Sequence, residues 1–341
     1  MRAPGFWWRL PPAPLARLLQ PFGWLYGALT SRRMRGKGVD AGIPVICVGN
    51  FVAGGAGKTP TALMLAALLR MRGETPFVLM RGYGGTLTGP LEVDPTRHTP
   101  AEAGDEPVLM AAHIRTIVSR DRPAGAGLAR MLGASVVVMD DGLQNPSLAK
   151  TLRLAVVDGF GGIGNGLCIP AGPLRAPLSG QFSGTDAVLV IGAGPAGEAV
   201  GSAARSAGIM VLQGHLVPDA ASTDKLRGQR VLAVSGIGRP EKFLATLREA
   251  GAEIVADHAF GDHYAYGASD IAALIAEAKA RNSVVATTEK DMTKLGPLWP
   301  EGERTLLMAV PVTLVIERPK DLAALLDRAL AGSGPAGAAH S

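Results

Sequence analysis

The sequence predicts an α/β protein in which parallel sheets are covered by helices, arranged as two such units joined near residue 225. Three observations carry this. Short apolar runs rich in Val, Ile, Leu and Ala alternate with helical stretches along most of the 341 residues, as buried parallel strands with crossover helices do. Hydrophobic residues make up 47% of the chain and aromatic residues only 5%, so sizeable cores can be buried and disorder is excluded as the overall state. The alternation restarts after a polar stretch at residues 226–229, and a chain of this length has room for about two domains of roughly 150 residues.

The elements follow in order. Residues 44–50 are an apolar run that feeds a glycine-rich turn and then a helix over 61–72. A short strand over 75–80 leads into the loop Arg81-Gly82-Tyr83-Gly84-Gly85. Pro107 in a first turn opens a helix read over 106–118, and a second helix covers 124–132. Strands follow at 135–139, 152–157 and 186–191, the first ending in Asp140-Asp141-Gly142 and the second at Asp158. Beyond the polar stretch, strands are read at 231–235, 253–256 and 283–287, helices at 241–250 and 270–280, one extended run over 306–314, and a closing helix over 320–330. The tail 331–341 is rich in Gly, Ala and Ser and is expected to be disordered.

The turn after the first strand carries chemistry. It ends in Gly54-Gly55-Ala56-Gly57-Lys58-Thr59-Pro60. Strand, glycine loop, Lys-Thr and helix in that order cradle a nucleotide triphosphate: backbone N–H groups close on phosphate oxygens, Lys58 reaches the β- and γ-phosphates, and the Thr59 hydroxyl holds Mg²⁺. The pattern G-x-x-x-x-G-K-[ST] wants glycine at position 52, where this chain has Val52. Asp140 and Asp141, ending an apolar strand, suit a hydrated magnesium ion that takes few protein ligands; a polar strand end opening a turn would look the same. Asp105 and Glu106 form a second acidic pair, which as first-turn acids could equally be caps.

Other features are weaker. Gly192-Ala193-Gly194-Pro195-Ala196-Gly197 fits G-x-G-x-x-G, but no acid stands at a following strand end, so a tight βα turn is the better reading. Six histidines without a cysteine partner or a His-x-x-x-His pair give no zinc site. His258 and His263 each follow an Asp in a loop, where an imidazole could orient a carboxylate base; a surface-loop histidine is the simpler reading. Lys290, in Thr287-Thr288-Glu289-Lys290-Asp291, could meet an anionic substrate or belong to a helix start. Cys47 and Cys168 give no disulfide framework.

Charge and aromatics concentrate at the N-terminus. Residues 1–38 hold Arg2, Arg9, Arg17, Arg32, Arg33, Arg35 and Lys37 and no acid; the net charge of +5 therefore leaves −2 for the rest, which excludes a basic nucleic-acid-binding face on the body. Three of the four tryptophans lie in the first thirty residues. Prolines interrupt the segment before it reaches a bilayer-spanning length of ~18 apolar residues, and no Ala-x-Ala cleavage site follows. Aromatic and Leu side chains beside Arg describe an interfacial helix on an anionic membrane surface; a helix packed on the protein's own core is the alternative.

Taken together, these pieces resemble the tetraacyldisaccharide 4′-kinases, the lipid A 4′-kinases of Gram-negative bacteria. The resemblance runs from Val48-Gly49-Asn50 through Thr59-Pro60, residues 81–85, Gly104-Asp105-Glu106-Pro107, and Asp140-Asp141-Gly142-Leu143-Gln144. It continues through Gly164-Asn165-Gly166, residues 170–175, Phe260-Gly261-Asp262-His263 and Thr288-Glu289-Lys290-Asp291. It implies two α/β/α sandwich domains joined by a two-stranded linker, the first with a P-loop NTPase-type core. The expected division is a membrane-associating segment 1–38, a nucleotide-binding domain 39–225, a second α/β domain 226–330 whose last elements return to the first, and the tail 331–341.

The implied activity is transfer of the γ-phosphate of ATP, with Mg²⁺, to the 4′-hydroxyl of a lipid A disaccharide 1-phosphate. By resemblance Asp105 is the general base, His263 its partner, and Lys58 the phosphate-loop lysine. Gly54 to Pro60 hold the nucleotide; Thr59, Glu106, Asp140 and Asp141 surround the metal; Tyr83 and Arg122 contact nucleotide or substrate phosphate. Ala176 departs from the family pattern, which would place Glu after Arg175. A monomer is expected, peripheral or monotopic at the cytoplasmic face of the inner membrane. Two rivals remain: an ATPase switch with a phosphate loop, and a kinase for another acceptor. A GTPase is excluded because none of Asn50, Asn145, Asn165 and Asn282 is followed by Lys.

Overall fold

In the computed structural model, which describes residues 3–261 and 264–331, the apolar run Val45–Asn50 forms β1, buried along its whole length. The other strands in chain order are β2 Pro76–Met80, β3 Leu91–Glu92, β4 Thr116–Val118, β5 Val136–Asp140, β6 Leu152–Asp158, β7 Ala187–Ile191, β8 Met210–Pro218, β9 Arg230–Ser235, β10 Glu253–Ala259, β11 Val284–Thr288, β12 Leu307–Val310 and β13 Val312–Ile316. The α-helices are α1 Pro14–Met34, α2 Lys58–Met71, α3 Pro100–Ala103, α4 Asp105–Ala111, α5 Arg122–Met131, α6 Leu178–Phe182, α7 Pro195–Ser206, α8 Ala220–Leu226, α9 Pro240–Glu249, α10 Ala268–Ala280, α11 Glu289–Leu295 and α12 Pro319–Ala331.

They form two sheets. The larger runs β13-β8-β7-β6-β1-β5-β2-β4-β3, and its strands are parallel from β8 to β4 with an antiparallel strand at each edge. The smaller, β10-β9-β11-β12, is wholly parallel. Period-two alternation sorts the strand residues onto two faces. On one face of the large sheet Ile46, Val48, Val138 and Leu154 pack against Leu65 and Leu69 of α2 and Leu322, Leu325 and Leu326 of α12. On the other, Phe77, Val137 and Met139 meet Ala126 and Ala129 of α5, and Val188 and Val190 meet Val200 and Ala204 of α7. The small sheet is covered likewise, by α10 on one face and α9 on the other. Both are α/β/α sandwiches.

The strand order reverses around β1. The chain moves from β1 outward to β2 and β4, returns to β5, then continues on the far side with β6 and β7. Such a switch point opens a crevice at the carboxyl ends of the strands, where ligands of open α/β sheets bind. Pro311 separates β12 from β13, so the run read as one extended segment contributes one strand to each sheet. The two sheets also meet through Asp158 at the end of β6, which pairs with Arg239 at 2.9 Å and Lys242 at 2.8 Å at the start of α9. The Arg239 guanidinium lies 5.4 Å from the rings of both Trp8 and Phe160.

One element needs correction. The helix read over 106–118 ends at Ala111, and Thr116–Val118 form β4, paired in parallel with β2. Ile114, Ile117 and Val118 satisfy a helical spacing, but sheet pairing at the end of β2 wins over local periodicity. The expected disorder of the tail lies outside the described residues from 332 onward.

α1 packs its small residues on the protein's own core and leaves an apolar stripe exposed. Its small residues Ala16, Gly23 and Gly27 are buried: a methyl group on Gly23 would come within 2.7 Å of the Cys168 carbonyl oxygen, and one on Gly27 within 3.0 Å of the Cys168 Sγ. Leu15, Leu18, Phe22, Leu25 and Leu29, spaced by three and four, are exposed, which at about 100° per residue sets them on a different face. Among the described residues no helix is long and apolar enough to cross a membrane.

Candidate active site

β1 delivers the chain to the crevice. Its last residue, Asn50, is buried, and its amide donates to the Gly54 carbonyl at 2.8 Å, closing the loop on itself. Val52, where the phosphate-loop pattern has glycine, bridges Leu174, and its carbonyl accepts from Arg175 Nε at 3.1 Å. The first half of the loop is thus held by a neighbouring segment, and the turning falls to Gly54 and Gly57, with φ of +114° and +95°. α2 starts immediately at Lys58. Pro60 in its first turn removes an N–H that would have no helical acceptor, and Thr61 Oγ1 donates to the Gly57 carbonyl at 2.8 Å.

The acids come from a strand end and a helix start. Asp140 is buried at the end of β5, and its Oδ1 has no hydrogen-bond partner. Burial pushes its carboxyl up to about 7; Glu106 and Asp141 add to the rise, and Lys58 and Arg122 oppose it. Asp141 follows in the left-handed region at φ +52°, a conformation that costs a non-glycine residue and is held only by its surroundings. Its Oδ1 lies 2.8 Å from an Arg175 terminal nitrogen and 3.8 Å from Lys58 Nζ. Burial raises its carboxyl, but the two cations outweigh this and hold it below the usual carboxylate range. The adjacent acids therefore differ: Asp141 is neutralised, whereas Asp140 keeps an unsatisfied buried oxygen.

Asp105 and Glu106 occupy the first turn of α4, after Gly104 at φ +97°. Asp105 is buried, and its Oδ1 accepts from the Glu106 N–H at 3.0 Å. Lys290, from the first turn of α11 beside the small sheet, places Nζ 3.3 Å from Glu106 Oε1 and 3.7 Å from Asp105 Oδ2. Lys290 thus meets acids of the large sheet's crevice.

The remaining predicted residues divide. Tyr83 is exposed on the loop after β2. Arg122 is buried, and its two terminal nitrogens donate to the Leu79 and Asp140 carbonyls at 3.1 and 3.0 Å, so it fastens β2 to β5. His263 lies outside the described residues. His258 pairs with Glu277 of α10 at 2.7 Å, away from these acids. Ala176 is fully buried, so no acidic side chain follows Arg175. Sequence reasoning gave no role to Arg175, or to Gln144, whose amide donates to the Asn50 carbonyl at 2.8 Å. Their only signal was membership of short matching pieces, because both act on segments distant in sequence.

A model of the LpxK family, described as tetraacyldisaccharide-1-P 4′-kinase, matches residues 15–331. The chain belongs to the tetraacyldisaccharide 4′-kinase family. It is 53% identical to the tetraacyldisaccharide 4′-kinase of Methylobacterium nodulans over 336 residues, 98% of this chain and 97% of the relative. It is 58% identical to that of Methylobacterium sp. strain 4-46 over 295 residues, 86% and 89% of the two chains. Among solved structures it is similar to the "apo" form of LpxK from Aquifex aeolicus in complex with ATP. The TM-score is 0.72 at 26% identity, covering 93% of this chain and 99% of that one. The kinase family and the solved fold thus meet on a chain whose first strand, loop and helix have the form of a phosphate loop.

Proposed function

We infer that the protein is an ATP-dependent kinase that phosphorylates the 4′-hydroxyl of a tetraacyl lipid A disaccharide 1-phosphate. The observation that carries this is the meeting, in a member of this family, of a phosphate loop with two acidic groups from different elements: Asp140 and Asp141 beside Lys58, and Asp105 with Glu106 at the start of α4. An ATPase switch would have no use for the second group.

Gly54 to Pro60 hold the triphosphate of ATP, Gly54 to Thr59 through backbone N–H groups and Pro60 by shaping the start of α2. Lys58 neutralises charge on the transferred phosphoryl, which accounts for most catalysis in such reactions. The acceptor's 4′-oxygen attacks the γ-phosphorus as its proton passes to the Asp105 carboxylate, and the bond to the β,γ-bridging oxygen breaks, leaving ADP. A sugar hydroxyl is a poor nucleophile, so a carboxylate within hydrogen-bond reach assists it. His263 is assigned as the partner of Asp105 and Tyr83 as a contact to nucleotide or substrate. Arg122, whose terminal nitrogens each donate to a main-chain carbonyl, would reach a nucleotide or substrate phosphate through its remaining N–H groups.

Among the described residues no three His, Cys, Asp or Glu side chains form a ready-made metal cage. A magnesium ion that keeps most of its waters and rides on ATP does not require one, and the orphaned Asp140 Oδ1 is the atom that fits it. Asp140 would hold it with Thr59 and Glu106, and Asp141 would stand behind; the ion would supply neutralisation of the triphosphate's charge.

The acceptor's acyl chains stay in a bilayer, so the kinase works at the cytoplasmic face of the inner membrane as a peripheral protein, through the exposed stripe of α1 and the basic residues of 1–38. We assign residues 39–225 to the nucleotide-binding domain and 226–330 to the second domain, with β13 and α12 returned to the first. The deciding experiment is transfer of ³²P from γ-labelled ATP to a lipid A disaccharide 1-phosphate in mixed micelles with Mg²⁺. Labelled lipid with wild type and none with Lys58→Ala is the expected result. ATP hydrolysis without labelled lipid would overturn the reading in favour of a switch or another acceptor.

A further inference from the structure

We propose that Lys290 is a positioning residue for phosphoryl transfer: it carries a positive charge from the small sheet's domain onto Asp105 and Glu106, fixing the carboxylates only when the two domains are apposed. The inference rests on the kinase reading and assigns a task to a residue that the phosphate loop does not include. The acids sit at the start of α4, on the large sheet, whereas Lys290 belongs to α11, which follows β11 of the small sheet. Its Nζ bridges the two carboxylates at 3.3 and 3.7 Å, and its side chain is mostly buried.

The direction of Lys290 is built in. Its chain neighbour Asp291 is fully buried and accepts from the Gly236 N–H at 2.8 Å, the Thr288 hydroxyl at 2.8 Å and the Tyr266 hydroxyl at 3.3 Å; Lys294 pairs with it at 3.0 Å. Thr288 caps the helix by accepting from the Asp291 N–H at 3.1 Å. The first turn of α11 is thereby locked to the loop after β9. A second contact crosses between the same two helices, where Glu289 Oε1 lies 3.3 Å from His113 Nε2 just beyond α4. Two consecutive residues of α11 thus reach the α4 segment, one at each of its ends.

The charges explain the need. Asp105, Glu106, Asp140 and Asp141 crowd one crevice; Lys58 and Arg175 pair with Asp141, and the Arg122 guanidinium is held on the Leu79 and Asp140 carbonyls. Without Lys290 the Asp105 and Glu106 carboxylates would lose a cation and repel one another as neighbours in one helical turn. A base must lie within about 3 Å of the proton it takes, so a rotated Asp105 loses rate without affecting how ATP sits on its loop.

The test compares wild type, Lys290→Met and Lys290→Arg in the full-length protein, measuring kcat and both KM values for lipid phosphorylation, with thermal unfolding alongside. We expect Lys290→Met to lower kcat at least tenfold with both KM values within threefold of wild type and unfolding unchanged, and Lys290→Arg to recover most of the rate. A Met variant within twofold of wild-type kcat would overturn the inference. So would a loss expressed only in the KM for ATP, a loss that tracks lowered thermal stability, or one that Arg shares in full. Wild type that labels no lipid would instead overturn the kinase reading itself, so the two failures are distinguishable.

Discussion

The exposed stripe of α1 makes a quantitative prediction. Replacing Leu18, Leu25 and Leu29 with Gln keeps good helix formers on an exposed face, so the fold is spared. In the free protein these side chains are 72%, 62% and 62% exposed, so roughly two thirds of each remains to be buried by lipid. Full burial of a leucine is worth about 2 kcal/mol; two thirds of that, three times over, is about 4 kcal/mol. An interfacial helix sinks only part-way into the acyl boundary, and halving the figure leaves about 2 kcal/mol. At 1.4 kcal/mol per decade this weakens membrane partition roughly 30-fold, and about 1,000-fold if insertion is complete. Flotation on anionic vesicles measures it directly, with thermal unfolding and ATP affinity as controls that stay at wild-type values. A triple variant that floats within twofold of wild type would show that the stripe does not meet lipid.

Three further outcomes follow from the site. Gly57→Ala meets both a φ of +95° and a 2.7 Å approach to Ile191 Cδ1, so stability should fall by about 1–3 kcal/mol and ATP binding weaken; calorimetry of unfolding and of binding reads both. Asp105→Asn keeps the helix start and removes the base, so kcat should drop by about 100-fold or more while ATP affinity holds; a change confined to KM would remove Asp105 from the chemistry. His113 is raised above its usual value mainly by its hydrogen bond to Glu289. A raised histidine stabilises fully below its unfolded pKa and loses that stability as pH rises through the folded one, so wild type should lose up to about 1 kcal/mol relative to His113→Gln between pH 6 and 8. Parallel unfolding curves at both pH values would show the contact to be inert.

What could be read from the sequence followed from local signals. The β1–loop–α2 unit, the acids after β5 and the ends of β6 and β7 announce themselves because strand composition, glycine and helix start lie within a few residues. β4 was hidden because Ile114, Ile117 and Val118 fit a helical period, and only pairing with β2 decides against it. β12 and β13 were read as one run because no local rule tells which sheet a strand joins. The same limit applied to the site. Lys58 and Asp141 were legible, but Arg175, which supports the phosphate loop and pairs with Asp141, depends on a chain crossing that local spacing does not encode.

The return of the chain to its first sheet bears on how the protein is made. β13 pairs with β8 at the sheet edge, and α12 lays Leu322, Leu325 and Leu326 into the same core as α2. During synthesis from the N-terminus, the core of the large sheet therefore waits for β13 and α12, while the small sheet already has all four strands once β12 has emerged. The later-encoded unit can close first, and the larger one is complete only once α12 has emerged. A truncation in α12 would thus strike a core that it shares with α2, far from it in sequence.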